Sequence, residues 1–373
     1  MSSLRTFFIS CMIAIVALQN CGLSQERAYT PQETEQLKQA KEDSQKLIRF
    51  YEEGQYERAI KLGQGVLKIQ GKVLGAEHFD YTDTLNTLAG LYETTGAYAR
   101  AEPLYLEAKK IDAKVFGTEH PNYATTLDNL AALYLSMGDC ARAEPLFLEA
   151  KKIRAKVLGT EHPDYATTLN NLAALYEIMG AYARAEPLYL EAKKINAKVL
   201  GTEHPAYATT LNNLAALYQQ MRAYARAEPL YLEAKKIDIK VLGTEHPNYA
   251  DTLNNLAALY LNMGDCARAE PLYLEAKKIN AKVLGTKHPD YATTLNNLAG
   301  LYEKMGDYAR AEPLYLEAKK VYAKVLGTKH PDYATTLNNL AGLYEKTGDD
   351  TRAQSLHLEL KRIRRKALSK EDK

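Results

Sequence analysis

Tryptophan is absent from the 373-residue chain, cysteine occurs four times, and neither sign of charge dominates, with 48 Lys plus Arg against 46 Asp plus Glu. The near-zero balance gives no general attraction to nucleic acid or to acidic membranes. The cysteines supply no disulfide framework. Cys11 lies in an N-terminal apolar run and Cys21 just after it. Cys140 and Cys266 stand at one repeat position, three repeats apart, whereas bridged Cα atoms must approach within about 7 Å. Other copies carry Tyr98, Tyr182, Tyr224 and Tyr308 there, so these two cysteines read as small apolar substitutions. Long apolar stretches are missing as well. Phe7 to Leu18 has 12 residues, short of the roughly 20 that cross a bilayer.

Motifs of catalysis are also lacking. No nucleophile–base pair, paired catalytic carboxylates or His-Glu zinc motif stands out. Gly65 to Lys72 superficially has the look of a phosphate loop, but five residues rather than four separate its glycines and Val73 follows in place of Ser or Thr. The sequence therefore points to no enzyme, no cofactor and no metal.

What the chain does have is a period. His78, His120, His162, His204, His246, His288 and His330 recur every 42 residues, and only His357 falls outside that register. One fixed period overrides the usual expectation of two or three globular domains, because repeat arrays grow in one dimension. The copy from His162 to Glu203 is the clearest. Pro163 suits the first position of a helix, where its missing N–H costs nothing, and makes His162 the N-cap. Leu169, Leu172, Ala173, Tyr176 and Met179 follow in threes and fours, one apolar stripe of a helix that Gly180 ends. A second helix carries Ala185, Leu188, Tyr189, Ala192, Ile195 and Val199 and stops at Gly201. The short connection forces an antiparallel pair. Pro187, repeated at 103, 145, 229, 271 and 313, should bend each second helix in register. A single block buries too little apolar surface to stand alone, so stability must come from stacking. The 27 Tyr follow from the repeat and not from an aromatic recognition surface.

The expected organisation is a signal segment over 1–24, a linker over 25–32, a divergent opening helix pair over 33–77, the repeat array over 78–360 and a basic tail over 361–373. Gly63 and Gly65, inside the second opening helix, should each cost about 1 kcal/mol relative to Ala and leave that pair the loosest. A short basic start before Phe7–Leu18 has the pattern of an export signal. Two processing sites fit: Gly22-Leu23-Ser24 before Gln25, or Leu18-Gln19-Asn20-Cys21, in which Cys21 would carry lipid and tether the array to a membrane face. Export to the periplasm, the medium or a membrane surface, from a bacterium, is the expectation; residence in the cytoplasm is the alternative. The basic run Lys361 to Lys366 reads as a solvated end of the last helix.

The pattern Leu172-Ala173, Tyr176, Gly180, Tyr182, Ala185, Tyr189, Ala192 resembles the tetratricopeptide repeat. The block is eight residues longer than the usual 34, and its LNNLA, AEPLY and LGxxHP segments are similar to the repeats of kinesin light chains. The long heptad coiled coil that would join a heavy chain is not present. The resemblance implies an all-α fold, an α-solenoid (right-handed superhelix) of about eight antiparallel helix pairs. It also implies a non-catalytic scaffold whose first helices line a concave groove, where Asn side chains hold the backbone of an extended partner peptide. The matching residues are Asn129, Asn171, Asn213, Asn255, Asn297 and Asn339, with Thr87 at the start of the series. An amide both donates and accepts, so such a ladder can satisfy a peptide backbone without reading its sequence. The same amides could instead bond between neighbouring repeats, leaving the array a spacer with no groove ligand.

Most positions barely change between copies, but two near the end of the first helix do: Glu93-Thr94, Leu135-Ser136, Glu177-Ile178, Gln219-Gln220, Leu261-Asn262, Glu303-Lys304 and Glu345-Lys346. They follow the core Tyr, should face away from the packed side, and would set specificity beside the ladder. Glu177, Gln219, Leu261 and Glu303 are the candidates there. The partner expected is a protein or peptide; no nucleic acid is expected, and a membrane only through the N-terminus.

Overall fold

The computed structural model describes residues 28–368, so the signal segment with Cys11 and Cys21 lies outside the described residues, as do residues 369–373. Sixteen helices follow one another and no strand occurs among the described residues. The opening pair is α1 (Pro31–Glu52) and α2 (Tyr56–Val73). Then come α3 (Phe79–Thr94), α4 (Tyr98–Val115), α5 (Pro121–Ser136), α6 (Cys140–Val157), α7 (Pro163–Ile178), α8 (Tyr182–Val199), α9 (Pro205–Gln220) and α10 (Tyr224–Val241). The series closes with α11 (Pro247–Met263), α12 (Cys266–Val283), α13 (Pro289–Lys304), α14 (Tyr308–Val325), α15 (Pro331–Thr347) and α16 (Asp350–Leu368). This is the expected all-α solenoid of helix pairs. It divides into two compact halves, one ending at Leu217 and one starting at Tyr218. In the N-terminal half α1/α2, α3/α4, α5/α6 and α7/α8 pack as pairs; in the C-terminal half α11/α12, α13/α14 and α15/α16 do so. Within each half a second helix also meets the first helix of the next repeat, as α6 meets α7 and α12 meets α13.

The joints behave as the sequence implies. His162 is the N-cap of α7, its Nδ1 accepting from the Asp164 N–H at 3.2 Å. Gly180 ends that helix at φ 71°, and Gly201 ends α8 at φ 88°. This is the left-handed region that only glycine enters without cost. One copy breaks the rule: Arg222 replaces the glycine and still adopts φ 58°. The second helices run unbroken through their internal prolines, Pro187 among them.

The opening helix begins earlier than the composition implies. Thr30 caps α1 and Glu33 closes the capping box, so residues 31 and 32 of the expected linker are helical. At the other end α16 runs to Leu368 and takes in the first part of the basic stretch. Gly63 has a purpose that the sequence did not disclose. It stands where inner repeats carry Tyr105 or Tyr189, and a Cβ there would meet Leu47 Cδ1 at 3.1 Å and Leu88 Cδ1 at 3.3 Å. Gly65 faces open space.

The core repeats with the sequence. Tyr165, Ala166 and Leu169 of α7 pack on Ala192 and Ile195 of α8, and Tyr249, Ala250 and Leu253 of α11 pack on Ala276 and Ile279 of α12. The alanines carry no bulk beyond Cβ, which lets the paired helices approach closely.

Candidate functional site on the first helices

Five first helices present two successive amides from an LNN segment, while Thr87 replaces the second in α3 and Asp128 the first in α5, and the structure gives the two positions different tasks. The first reaches forward to the next repeat. Asn86 Nδ2 donates to Thr126 Oγ1, Asn170 Nδ2 to Thr210 Oγ1 and Asn254 Nδ2 to Thr294 Oγ1, each at 2.9 Å. The second amide is the predicted ladder. In the N-terminal half Asn129, Asn171 and Asn213 are buried, Asn171 at 8 % exposure. In the C-terminal half Asn255, Asn297 and Asn339 are half-buried. Asn339 Nδ2 donates to Asn296 Oδ1 at 3.2 Å, a bond between neighbouring repeats. Asn171 Nδ2 is buried without a protein acceptor.

The variable positions do not lie as expected. Glu177 is 7 % exposed, and its carboxylate accepts from the Tyr189 hydroxyl of α8 at 3.0 Å. Glu93 and Leu135 are likewise buried. Gln219 Oε1 accepts from Tyr231 at 3.2 Å, and Glu303 accepts from Tyr315 at 2.8 Å and from Lys346 of the next repeat at 2.7 Å. Leu261 is half-buried, and its carbonyl accepts from Lys304. The expectation that these side chains face away from packed structure is therefore corrected. A first helix is covered by its partner and by first helices on either side, which leaves only a narrow open strip. The second member of five variable pairs lies on that strip: Ile178 is 53 % exposed, and Gln220, Asn262, Lys304 and Lys346 are exposed, whereas Thr94 and Ser136 are half-buried.

Burial raises the acids that this arrangement encloses. Desolvation pushes Glu93 up to about 8, against the opposing hydrogen bonds from Ser136 and Tyr105. Desolvation likewise pushes Asp112 and Asp238 up to about 6, although Thr126 and Thr252 donate to them.

A buried polar chain between repeats escaped the sequence reading. Asn196 Nδ2 donates to Thr210 Oγ1 at 3.1 Å, and Asn280 Nδ2 to Thr294 Oγ1 at 3.1 Å. At the same second-helix position Asp112 accepts from Thr126 at 2.7 Å and Asp238 from Thr252 at 2.6 Å. The signal was present in the exchange of Asp, Arg, Asn and Tyr at residues 112, 154, 196, 238, 280 and 322. A second pattern joins the second helix of one repeat to both helices of the next. Tyr176 and Arg184 both donate to Glu144 Oε1, at 2.9 and 2.7 Å, and the Arg184 guanidinium lies 3.7 Å over the Tyr176 ring. The Tyr176 hydrogen bond, and after it that of Arg184, holds the Glu144 carboxyl below the usual range.

The seven register histidines cap separate helices, and no group of three or more metal-ligating side chains converges among the described residues. No described helix is long and apolar enough to cross a membrane. Cys21 lies outside the described residues, while Cys140 and Cys266 are free and half-buried.

No curated protein sequence matches the chain. Among solved structures, BtubC (BKLC) from P. vanneervenii is 29% identical, over 63% of this chain and 91% of that one, at a TM-score of 0.48. A putative kinesin light chain from Podosopora anserina with nearly identical TPR-like repeats is 30% identical, over 55% of this chain and 98% of that one, at 0.46. The apo form of RapI is similar in fold alone, at 15% identity and a TM-score of 0.56, over 77% of this chain and 99% of that one. The tetratricopeptide repeat model matches seven overlapping segments: 47–114, 80–156, 130–196, 164–240, 207–282, 249–318 and 290–366. With a repeat match running from residue 47 to residue 366 over stacked helix pairs, the chain belongs to the tetratricopeptide repeat family.

Proposed function

We propose that the protein is a non-catalytic scaffold that holds an extended segment of a protein partner against its first helices. The family is generally one of protein–protein interaction scaffolds. The observation that carries the finer reading is the ladder. Asn129, Asn171 and Asn213 stand in register in one half, and Asn255, Asn297 and Asn339 in the other. The Asn171 amide keeps a buried donor that no group of the chain accepts, and a carbonyl of a bound peptide would satisfy it. Exposed Ile178, Gln220, Asn262, Lys304 and Lys346 beside the ladder differ from copy to copy and would read the partner's side chains. The test is Asn171→Ala combined with Asn213→Ala. Loss of a specific partner with unchanged helicity and melting supports the reading; undiminished binding sinks it.

One set of observations favours a spacer instead. Ser136 donates to Glu93 at 2.8 Å and Lys346 to Glu303, so variable residues also join one repeat to the next. A spacer loses function in proportion when one 42-residue block is removed, whereas a binding array loses it outright when the block carries the contacts. Export completes the proposal, resting on the apolar run Phe7–Leu18 and on Cys21. Mass spectrometry of the mature N-terminus tests it, and an intact Met1 on cytosolic protein would refute it.

A further inference from the structure

The carboxylate seat made by Tyr176 and Arg184 recurs along the chain. Tyr134 and Arg142 hold Glu102 at 3.0 and 2.8 Å, and Tyr260 and Arg268 hold Glu228 at 2.9 and 2.8 Å. Glu270 and Glu312 are held in the same way, by Tyr302 with Arg310 and by Tyr344 with Arg352. In each case the glutamate comes from the second helix of the preceding repeat.

The first regular repeat has the same two donors. The Arg100 guanidinium lies 4.2 Å over the Tyr92 ring, the stacking seen in the other copies. Its glutamate is missing, because the residue 42 positions before Glu102 is Ile60. The helper carboxylate seen in Asp139, which bonds Arg142 Nε at 2.5 Å, is replaced by Ala97. Among the described residues no carboxylate pairs with Arg100. The Tyr92 hydroxyl accepts from Gln64 Nε2 at 2.8 Å, which leaves its own proton to donate.

Beside this seat lies a cleft of about 620 Å³ between α2, α3 and α4. Leu67, Leu88, Pro103 and Leu104 line it, and Lys68 adds a second cation. Inner repeats differ at one wall of it. At the position of Leu67 they carry a lysine, such as Lys109, which stands 6.0 Å over the Tyr123 ring. The nearby carboxylate of Glu107 is already engaged by the Tyr81 hydroxyl at 3.3 Å. An apolar cleft with a few convergent polar groups is the usual make-up of a small-molecule site, and a guanidinium with a hydroxyl beside it matches the oxygens of a carboxylate.

We propose that this cleft binds an aliphatic monocarboxylate, its head held by Arg100 and Tyr92 and its tail lying along Leu67 and Leu104. The intramolecular glutamates show what the seat accepts. Ile60 provides apolar surface at the place where the other repeats provide charge. The site lies outside the amide ladder and does not depend on the partner-binding reading.

The probe is octanoate, titrated into the full chain, with the Arg100 side-chain N–H and the Tyr92 ring followed by NMR. Octanol serves as the neutral tail and acetate as the headgroup alone. Saturable octanoate binding in the millimolar range is expected, with octanol and acetate at least about tenfold weaker, equivalent to about 1.4 kcal/mol. Ile60→Glu supplies the missing carboxylate from the chain itself and should weaken octanoate about tenfold with no loss of melting temperature. Arg100→Gln, at an exposed position, should weaken it by a similar factor. Octanoate that moves neither reporter, octanol that binds as well, or unchanged affinity in either variant overturns the proposal.

Discussion

Arg154 of α6 places Nη1 2.5 Å from Asp128 Oδ2 of α5, and both side chains are at most 5 % exposed. The two residues depart from the repeat together. Where Asp128 and Arg154 stand, the next copy has Asn170 and Asn196. Arg154 also donates to the Asp164 carbonyl and to Thr125, both at 3.0 Å, so the pair ties one repeat to the next. Removing one partner of a buried pair strands the other charge, whereas removing both leaves the polar chain of the neighbouring copies. Arg154→Ala should therefore cost about 3–5 kcal/mol. Asp128→Asn with Arg154→Asn should recover most of that loss. Chemical denaturation of the three proteins at neutral pH measures it, and a double variant as unstable as the single one would contradict the pairing.

Asp238 occupies the position that Asn196 and Asn280 fill elsewhere. Burial raises its folded pKa to about 6 from an ordinary value of 3.8. Between those values the folded chain binds more protons than the unfolded one, so stability falls as pH rises through that window and stays lower above it. Asp238→Asn removes the titration. Relative to the native chain it should be more stable by about 1–3 kcal/mol at pH 8, with the difference shrinking toward zero below pH 4. A pH-independent difference in thermal unfolding would rule out this origin.

Gly63 and Gly65 look alike in the sequence and should respond in opposite ways. Gly65→Ala meets nothing within 4 Å and should stabilise by about 0.5–1 kcal/mol through helix propensity. Gly63→Ala must displace Leu47 and Leu88, and that crowding should cancel or outweigh the same gain. Melting temperatures of the two variants decide between a looseness shared by both glycines and a close approach at one of them.

Arg222 adopts φ 58° at a joint that has glycine in the neighbouring copies. Arg222→Gly should stabilise the chain by about 1 kcal/mol, because the left-handed conformation no longer crowds a Cβ. The reverse change, Gly180→Arg, should cost about the same. Equal stability of all three chains would show that neither joint carries strain.

Much of the fold could be read from local signals. His162 with Pro163 starts a helix, Gly180 and Gly201 stop two, and Leu169, Leu172 and Tyr176 mark the buried stripe. All of these depend on residues within a few positions of one another, and the 42-residue period multiplies each signal. The ladder positions came from the resemblance to the tetratricopeptide repeat, whose groove residues Asn129, Asn171 and Asn213 match.

The direction of Glu177 was not legible. Taken alone, α7 is a cylinder on which the residue after the core Tyr points off the buried stripe. In the folded array α7 meets α8 on one flank and α6 on another, so a carboxylate off the stripe still ends under Tyr189 of α8. The pairing of Asp128 with Arg154, the close approach of Leu47 and Leu88 at Gly63 and the unmatched Arg100 opposite Ile60 are relations across 16 to 40 positions of the chain. The sequence by itself determined where helices begin, end and bury a stripe, because those are properties of short stretches. Only the tertiary structure decided which of the remaining side chains are enclosed, because each helix is covered by its partner and by the next repeat, and no short stretch records which flank they cover.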